Sequence, residues 1–109
     1  MNFVYKYVNK VPVISFRNDN GGLLGSDIRI FGEDVLSLMD GDDRRVVFDL
    51  RENSYLNSFG LGELINIRKF FDDRGISCTL IAGSQKIIKL LDMVGIGDLF
   101  TIIKSENEI

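Results

Sequence analysis

The sequence predicts one α/β domain with a largely parallel or mixed β-sheet. Its 109 residues allow one modest hydrophobic core, and 45% hydrophobic with 27% charged residues is typical of globular proteins. The hydrophobic pattern alternates between strand and helix in the order β-β-α-β-α-β-α-β, and a helix between two strands requires a crossover connection. No linker, internal repeat or low-complexity segment interrupts this order, so a single domain is expected over residues 1–109.

The first third of the chain predicts two strands and a helix. Residues 3–8 and 11–16 are β-rich runs joined around Asn9 and Lys10, and Pro12 favours an edge strand or an irregular start for the second run. A loop over residues 18–22 follows, and Ser26 is predicted to cap the first helix. The apolar face of this helix has helical spacing and consists of Ile28, Phe31, Val35 and Leu38.

The remaining elements follow in regular alternation. Residues 46–50 form an almost wholly apolar run, which predicts a central strand, and residues 77–82 and 99–103 predict two further strands. The second helix is predicted to start near Ser58 and to end before Gly75, and the third lies between Ser84 and Gly95. The predicted buried face of the second helix is Leu61, Leu64, Ile65, Ile67 and Phe71, and that of the third is Ile87, Ile88, Leu91 and Val94.

Composition excludes several classes of function. The chain has no histidine, which removes serine–histidine hydrolysis and most zinc chemistry, and its net charge of −3 argues against a nucleic-acid-coating surface. No apolar run approaches the roughly 20 residues of a membrane span. The lone Cys78 is interpreted as a small core residue in a cytoplasmic protein, with a redox sensor as the alternative. We therefore expect no enzyme, no cofactor, no metal and no membrane insertion.

Two segments resemble the STAS domain family, typified by bacterial anti-sigma-factor antagonists. The first runs from the strand at residues 46–50 to Asn57-Ser58-Phe59-Gly60-Leu61-Gly62, close to the family motif Asp-Ser-Ser-Gly-Leu-Gly. The second, residues 84–100, resembles the family pattern Ser-Pro-x-Val-x-x-x-Leu-x-x-x-Gly-Leu-x-x-x-Phe. The resemblance covers residues 10–103 and implies a STAS-like sheet of four to five strands with helices packed mainly on one face.

The resemblance implies a partner-switching function. Family members bind an ATP-dependent serine kinase that also acts as an anti-sigma factor, are released by phosphorylation of one serine, and are reset by a phosphatase. That serine corresponds to Ser58, but Asn57 replaces the preceding aspartate and Phe59 replaces a small residue. Because of these two departures, a STAS-like binding or scaffold module that is never phosphorylated, within a transporter or signalling complex, stays open as the alternative.

Helical spacing predicts where the partner binds. Phe59, Glu63, Asn66 and Phe70 fall at i, i+4, i+7 and i+11 on the second helix, away from the centre of its apolar face. We expect Phe59 to be substantially exposed, while Phe70 is either partly exposed or folded into the core. The predicted partner surface comprises Asn57, Ser58, Phe59, Gly60, Glu63, Asn66 and Phe70.

Overall fold

A computed structural model describes residues 3–16, 23, 27–53 and 55–109. One sheet contains five strands in chain order: β1 (Phe3–Val8), β2 (Val11–Phe16), β3 (Arg45–Asp49), β4 (Ser77–Ile81) and β5 (Thr101–Ile103). β1 pairs with β2 in antiparallel fashion, and all later pairs are parallel. The prediction of a mixed sheet is confirmed.

Three α-helices and two 3-10 turns complete the described fold. The helices are α1 (Ile28–Leu38), α2 (Ser58–Asp72) and α3 (Gln85–Met93), and the turns are Gly97–Leu99 and Glu106–Glu108. Side chains from all three helices join alternate residues of the strands in one large apolar cluster. The helices therefore pack mainly on one face of the sheet, as predicted, and that face holds most of the core.

The start of α1 differs from the prediction. Asp27 is the N-cap, and its Oδ1 accepts a hydrogen bond from the backbone N–H of Arg29 at 2.8 Å. Asp27 therefore satisfies a donor that the helix itself leaves unpaired. Ser26, the predicted cap, and the predicted loop at residues 18–22 lie outside the described residues. Phe31 and Val35 are buried as predicted.

Pro12 does not mark an edge strand, because β2 lies between β1 and β3. Asn9 and Lys10, with φ of 50° and 65°, form the two-residue turn of the β1–β2 hairpin. Val8 and Val11 form the hydrogen-bonded pair that closes the turn. Hydrogen-bonded and non-hydrogen-bonded pairs alternate along an antiparallel ladder, so the next pair, Tyr7 with Pro12, needs no hydrogen bond from Pro12. The pairing of β2 with β3 starts only at Val13, so the missing N–H of proline leaves no gap in either ladder.

A smaller apolar cluster lies on the sheet face opposite the helices. It consists of Val13, Val47, Ile81 and Ile103, with Val8, Val11 and Ile109 packed against it. Glu106 in the C-terminal 3-10 turn pairs with Lys6 at 2.6 Å and with Arg51 at 3.0 Å. The turn is thereby held against the sheet, and the last residue helps to cover this face.

Cys78 is buried in the main apolar cluster. Burial raises the pKa of its thiol to about 12, which keeps the sulfur protonated and unreactive at neutral pH. The interpretation of Cys78 as a core residue is confirmed, and this finding opposes the redox-sensor alternative.

Candidate functional site

The first turn of α2 presents Ser58 to solvent. Asn57 is the N-cap, and its Oδ1 accepts a hydrogen bond from the backbone N–H of Gly60 at 2.8 Å. Ser58 is the first helical residue and is exposed, so its hydroxyl is not the cap of this helix. Asparagine and aspartate both serve well at the N-cap. Asn57 is therefore as suitable a cap at this position as an aspartate would be.

The electrostatics of this turn favour an anion on Ser58. Backbone dipoles place partial positive charge at a helix N-terminus, and the first turn of α2 contains no acidic residue to offset it. The neutral Asn57 also places no negative charge next to the Ser58 hydroxyl. A phosphoryl group, which carries about −1.5 to −2 charges, would meet a favourable helix end and no repulsion from its neighbour in sequence.

Half of the predicted partner stripe is exposed. Phe59 is 69% exposed, and Asn66 is also exposed, as the prediction required. Glu63 and Phe70 are buried, with exposed fractions of 6% and 8%, and Gly60 is buried as well. The placement of Glu63 and Gly60 on a surface is therefore wrong, and of the two alternatives for Phe70 the structure shows the buried one. The flank of α2 that carries the stripe packs against α1 and Leu23, and this packing covers its middle and its end.

Glu63 is buried because it serves the backbone of a distant segment. Its Oε1 accepts a hydrogen bond from the N–H of Leu23 at 2.6 Å, across 40 residues of sequence. Leu23 itself is 1% exposed and belongs to the main apolar cluster. Glu63 therefore anchors Leu23 beside α2, which makes it a structural residue of the fold.

Phe70 is buried by a close approach of two helices. Its ring lies against Gly32 of α1, where a Cβ atom would come within 2.3 Å of the ring. The Arg74 guanidinium covers the ring, with its Cζ 3.6 Å from the ring centroid. The open question about Phe70 is thus answered: the ring belongs to the α1–α2 contact.

Sequence reasoning placed Ile65 in the core, yet it is 40% exposed. At 100° per residue, Ile65 lies well away from the buried pair Leu64 and Ile67 and on the same outward side as Ser58. A helical projection centred on those two residues would have found this position. Tyr55 in the preceding loop is also 49% exposed and adds aromatic surface next to the start of α2.

The opposite sheet face holds a polar groove of about 430 Å³, lined by Val4, Lys6, Ser15, Asp49, Arg51 and Glu52. Two of these residues form an ion pair. Arg51 Nη2 lies 2.7 Å from Asp49 Oδ2, and Arg51 Nε lies 3.0 Å from Asp49 Oδ1. Burial would raise the pKa of Asp49. The hydrogen bonds and charge of Arg51, with a hydrogen bond from Ser15, outweigh burial and hold that pKa below its ordinary value.

No group of three or more carboxylate or thiol side chains suited to a metal ion occurs in the described part of the chain. Within the same residues, no helix is both long enough and apolar enough to span a bilayer. The candidate functional site is therefore the exposed hydroxyl of Ser58 together with the exposed Phe59 ring beside it.

Comparison with known proteins agrees with the architecture. A family model described as STAS domain matches residues 19–109. The NMR structure of the protein TM1081 is similar, with a TM-score of 0.73 and 20% identity over 97% of this chain and 83% of that chain. The anti-sigma factor antagonist SpoIIAA in its unphosphorylated form is also similar, with a TM-score of 0.66 and 15% identity over 97% and 91% of the two chains. No curated protein matches the sequence.

Proposed function

The chain belongs to the STAS domain family, and from this premise we propose that it is a partner-switching regulator controlled at Ser58. In this proposal the unphosphorylated protein binds a cytoplasmic serine kinase that also acts as an anti-sigma factor or similar regulator. Phosphorylation of Ser58 releases the partner, and a phosphatase restores binding. The kinase supplies ATP, magnesium and catalysis, and this chain supplies the acceptor and the docking surface.

One observation carries the proposal. Ser58 is exposed as the first residue of a capped helix, beside an aromatic ring that is 69% exposed. An exposed phenylalanine next to an exposed hydroxyl has no role in the core, and such rings often supply much of the binding energy of an interface. The geometry suits a switch in which phosphate changes the surface and leaves the fold intact.

The test of the proposal is the modification itself. We expect phosphopeptide mass spectrometry of the protein, recovered from its own cells during growth and stress, to find phosphate on Ser58 with an occupancy that changes between conditions. A Ser58→Ala variant, which keeps Asn57 as the helix cap, is the control and should lose the signal. An unmodified Ser58 in every condition, with partners still co-purifying, would favour the alternative of a constitutive binding or scaffold module.

Phe59→Ala tests the docking surface. We expect at least a tenfold loss of affinity for the kinase that phosphorylates Ser58, because the substitution removes a large exposed apolar side chain from the contact. The thermal unfolding midpoint should change by less than about 3 °C, since an exposed side chain contributes little to the core. Lost stability together with intact binding, measured by calorimetry, would contradict this assignment of Phe59.

A further inference from the structure

Gly62 occupies a position where no contact with the described residues requires glycine. It lies in the interior of α2, and a Cβ atom built there meets no atom of the described residues within 4 Å. Glycine inside a helix is less stabilising than alanine, because it loses more conformational freedom on folding. The chain thus has a less stable helix than it could have, at a half-buried position where the described residues leave room for a methyl group.

Two of the neighbours of Gly62 on the helix surface are large and apolar. Phe59, Gly62 and Ile65 follow one another at i, i+3 and i+6 and form one ridge, with the two outer side chains 69% and 40% exposed. The outer residues are separated by about 9 Å along the helix axis. We call the gap between their side chains the Gly62 notch.

We infer that Gly62 is a specificity-determining residue of the switch: the notch receives an apolar side chain, with its adjoining main chain, from the kinase that phosphorylates Ser58. This inference rests on the proposed function. Ser58 and Gly62 are i, i+4 neighbours, about 5–6 Å apart on one helix face. A kinase cleft that holds the Ser58 hydroxyl therefore lies over the notch. Two walls of the notch, the Phe59 and Ile65 side chains, are apolar, so the group that fits between them is apolar.

The notch also explains how phosphate would release the partner without unfolding α2. A phosphoryl group on Ser58 places about two negative charges one helical turn from an apolar contact. Keeping that contact closed would strip water from the phosphate, which is unfavourable. Release then follows from desolvation at the interface, while the helix N-terminus itself tolerates the charge.

The test compares Gly62→Ala with Gly41→Ala. Gly41 lies in the turn before β3, and a Cβ atom there also meets no described atom within 4 Å, so the same methyl group is added in open space away from α2. Each protein is incubated with ATP and the kinase fraction that labels Ser58 of the wild type, and the initial rate of Ser58 phosphorylation is measured. Thermal unfolding midpoints are recorded in parallel.

We expect Gly62→Ala to slow Ser58 phosphorylation at least tenfold while raising the unfolding midpoint by about 4 °C, and Gly41→Ala to keep the wild-type rate. A structural role alone would not move rate and stability in opposite directions. A Gly62→Ala protein labelled at the wild-type rate, or one with a lowered midpoint, overturns the inference and leaves the proposed function standing. A wild type that no kinase fraction labels overturns both.

Discussion

Gly32→Ala is expected to lower the free energy of unfolding by about 2–3 kcal/mol, although alanine is the better helix former. The added Cβ would lie 2.3 Å from two atoms of the Phe70 ring. The ring cannot move aside freely, because Phe71 packs edge-on at a centroid distance of 5.1 Å and Arg74 covers it. Chemical denaturation of the purified protein measures the loss, and a midpoint at or above that of the wild type would contradict the packing described here.

A double mutant separates the clash from other effects of the substitution. Phe70→Leu on its own should be destabilising, because it removes ring contacts from the α1–α2 interface. In the Gly32→Ala background the smaller side chain makes room for the new methyl group. The two losses should therefore be less than additive by about 1 kcal/mol or more, which a double-mutant cycle reports directly.

Arg51→Met should cost about 3 kcal/mol, because it leaves the Asp49 carboxylate buried without its cation. The Asp49 side chain is only 8% exposed. Apart from the Arg51 guanidinium, the described hydrogen-bond donors to its carboxylate are the Ser15 hydroxyl and the Arg51 backbone N–H. Methionine keeps the aliphatic stem that packs beside Gly83, so the change isolates the loss of the guanidinium. Urea unfolding at neutral pH measures the cost.

The same substitution should reverse the pH dependence contributed by Asp49. In the wild type its folded-state pKa is lowered, so its stabilisation is present above about pH 4 and is lost as pH falls through the folded pKa. Without Arg51, burial dominates and the folded-state pKa rises above the unfolded one. The contribution of Asp49 to the stability of Arg51→Met is then greatest below about pH 4 and declines as pH rises through the new pKa.

Glu106→Gln is the matched control for Arg51→Met. It removes the outer carboxylate from the same guanidinium, and with it the ion pair to Lys6, but leaves the buried pair with Asp49 in place. Because the Glu106 side chain is 28% exposed, its loss should cost less than about 1 kcal/mol. Equal effects of the two substitutions would show that burial of Asp49 is not what makes Arg51 important.

Local signals in the sequence predicted the elements well. The two β-rich runs around Asn9 and Lys10 form the hairpin with the predicted bounds, and Ser84 caps α3 by accepting a hydrogen bond from the N–H of Lys86. These features depend on residues within a few positions of one another. Turn and capping preferences therefore suffice to predict them.

The errors on α2 concern contacts between residues distant in sequence. Periodicity indicates that a helix has an apolar face, but it does not indicate which flank a second helix will cover. The sequence predicts a surface position for Glu63 and leaves Phe70 open, because nothing nearby in sequence shows that Leu23 and Gly32 approach that flank. The prediction that Ser58 starts the helix and that Phe59 is exposed is correct, because both residues lie in the first turn of α2, which that contact does not cover.

The strand order of the sheet bears on biosynthesis. Spatial order and chain order coincide from β1 to β5, so every strand pairs with the strand that the ribosome produced immediately before it. The hairpin of β1 and β2 offers the first template, and each later strand extends the sheet at its growing edge. No strand has to be inserted between two that are already paired, so the sheet can be completed in the direction of synthesis.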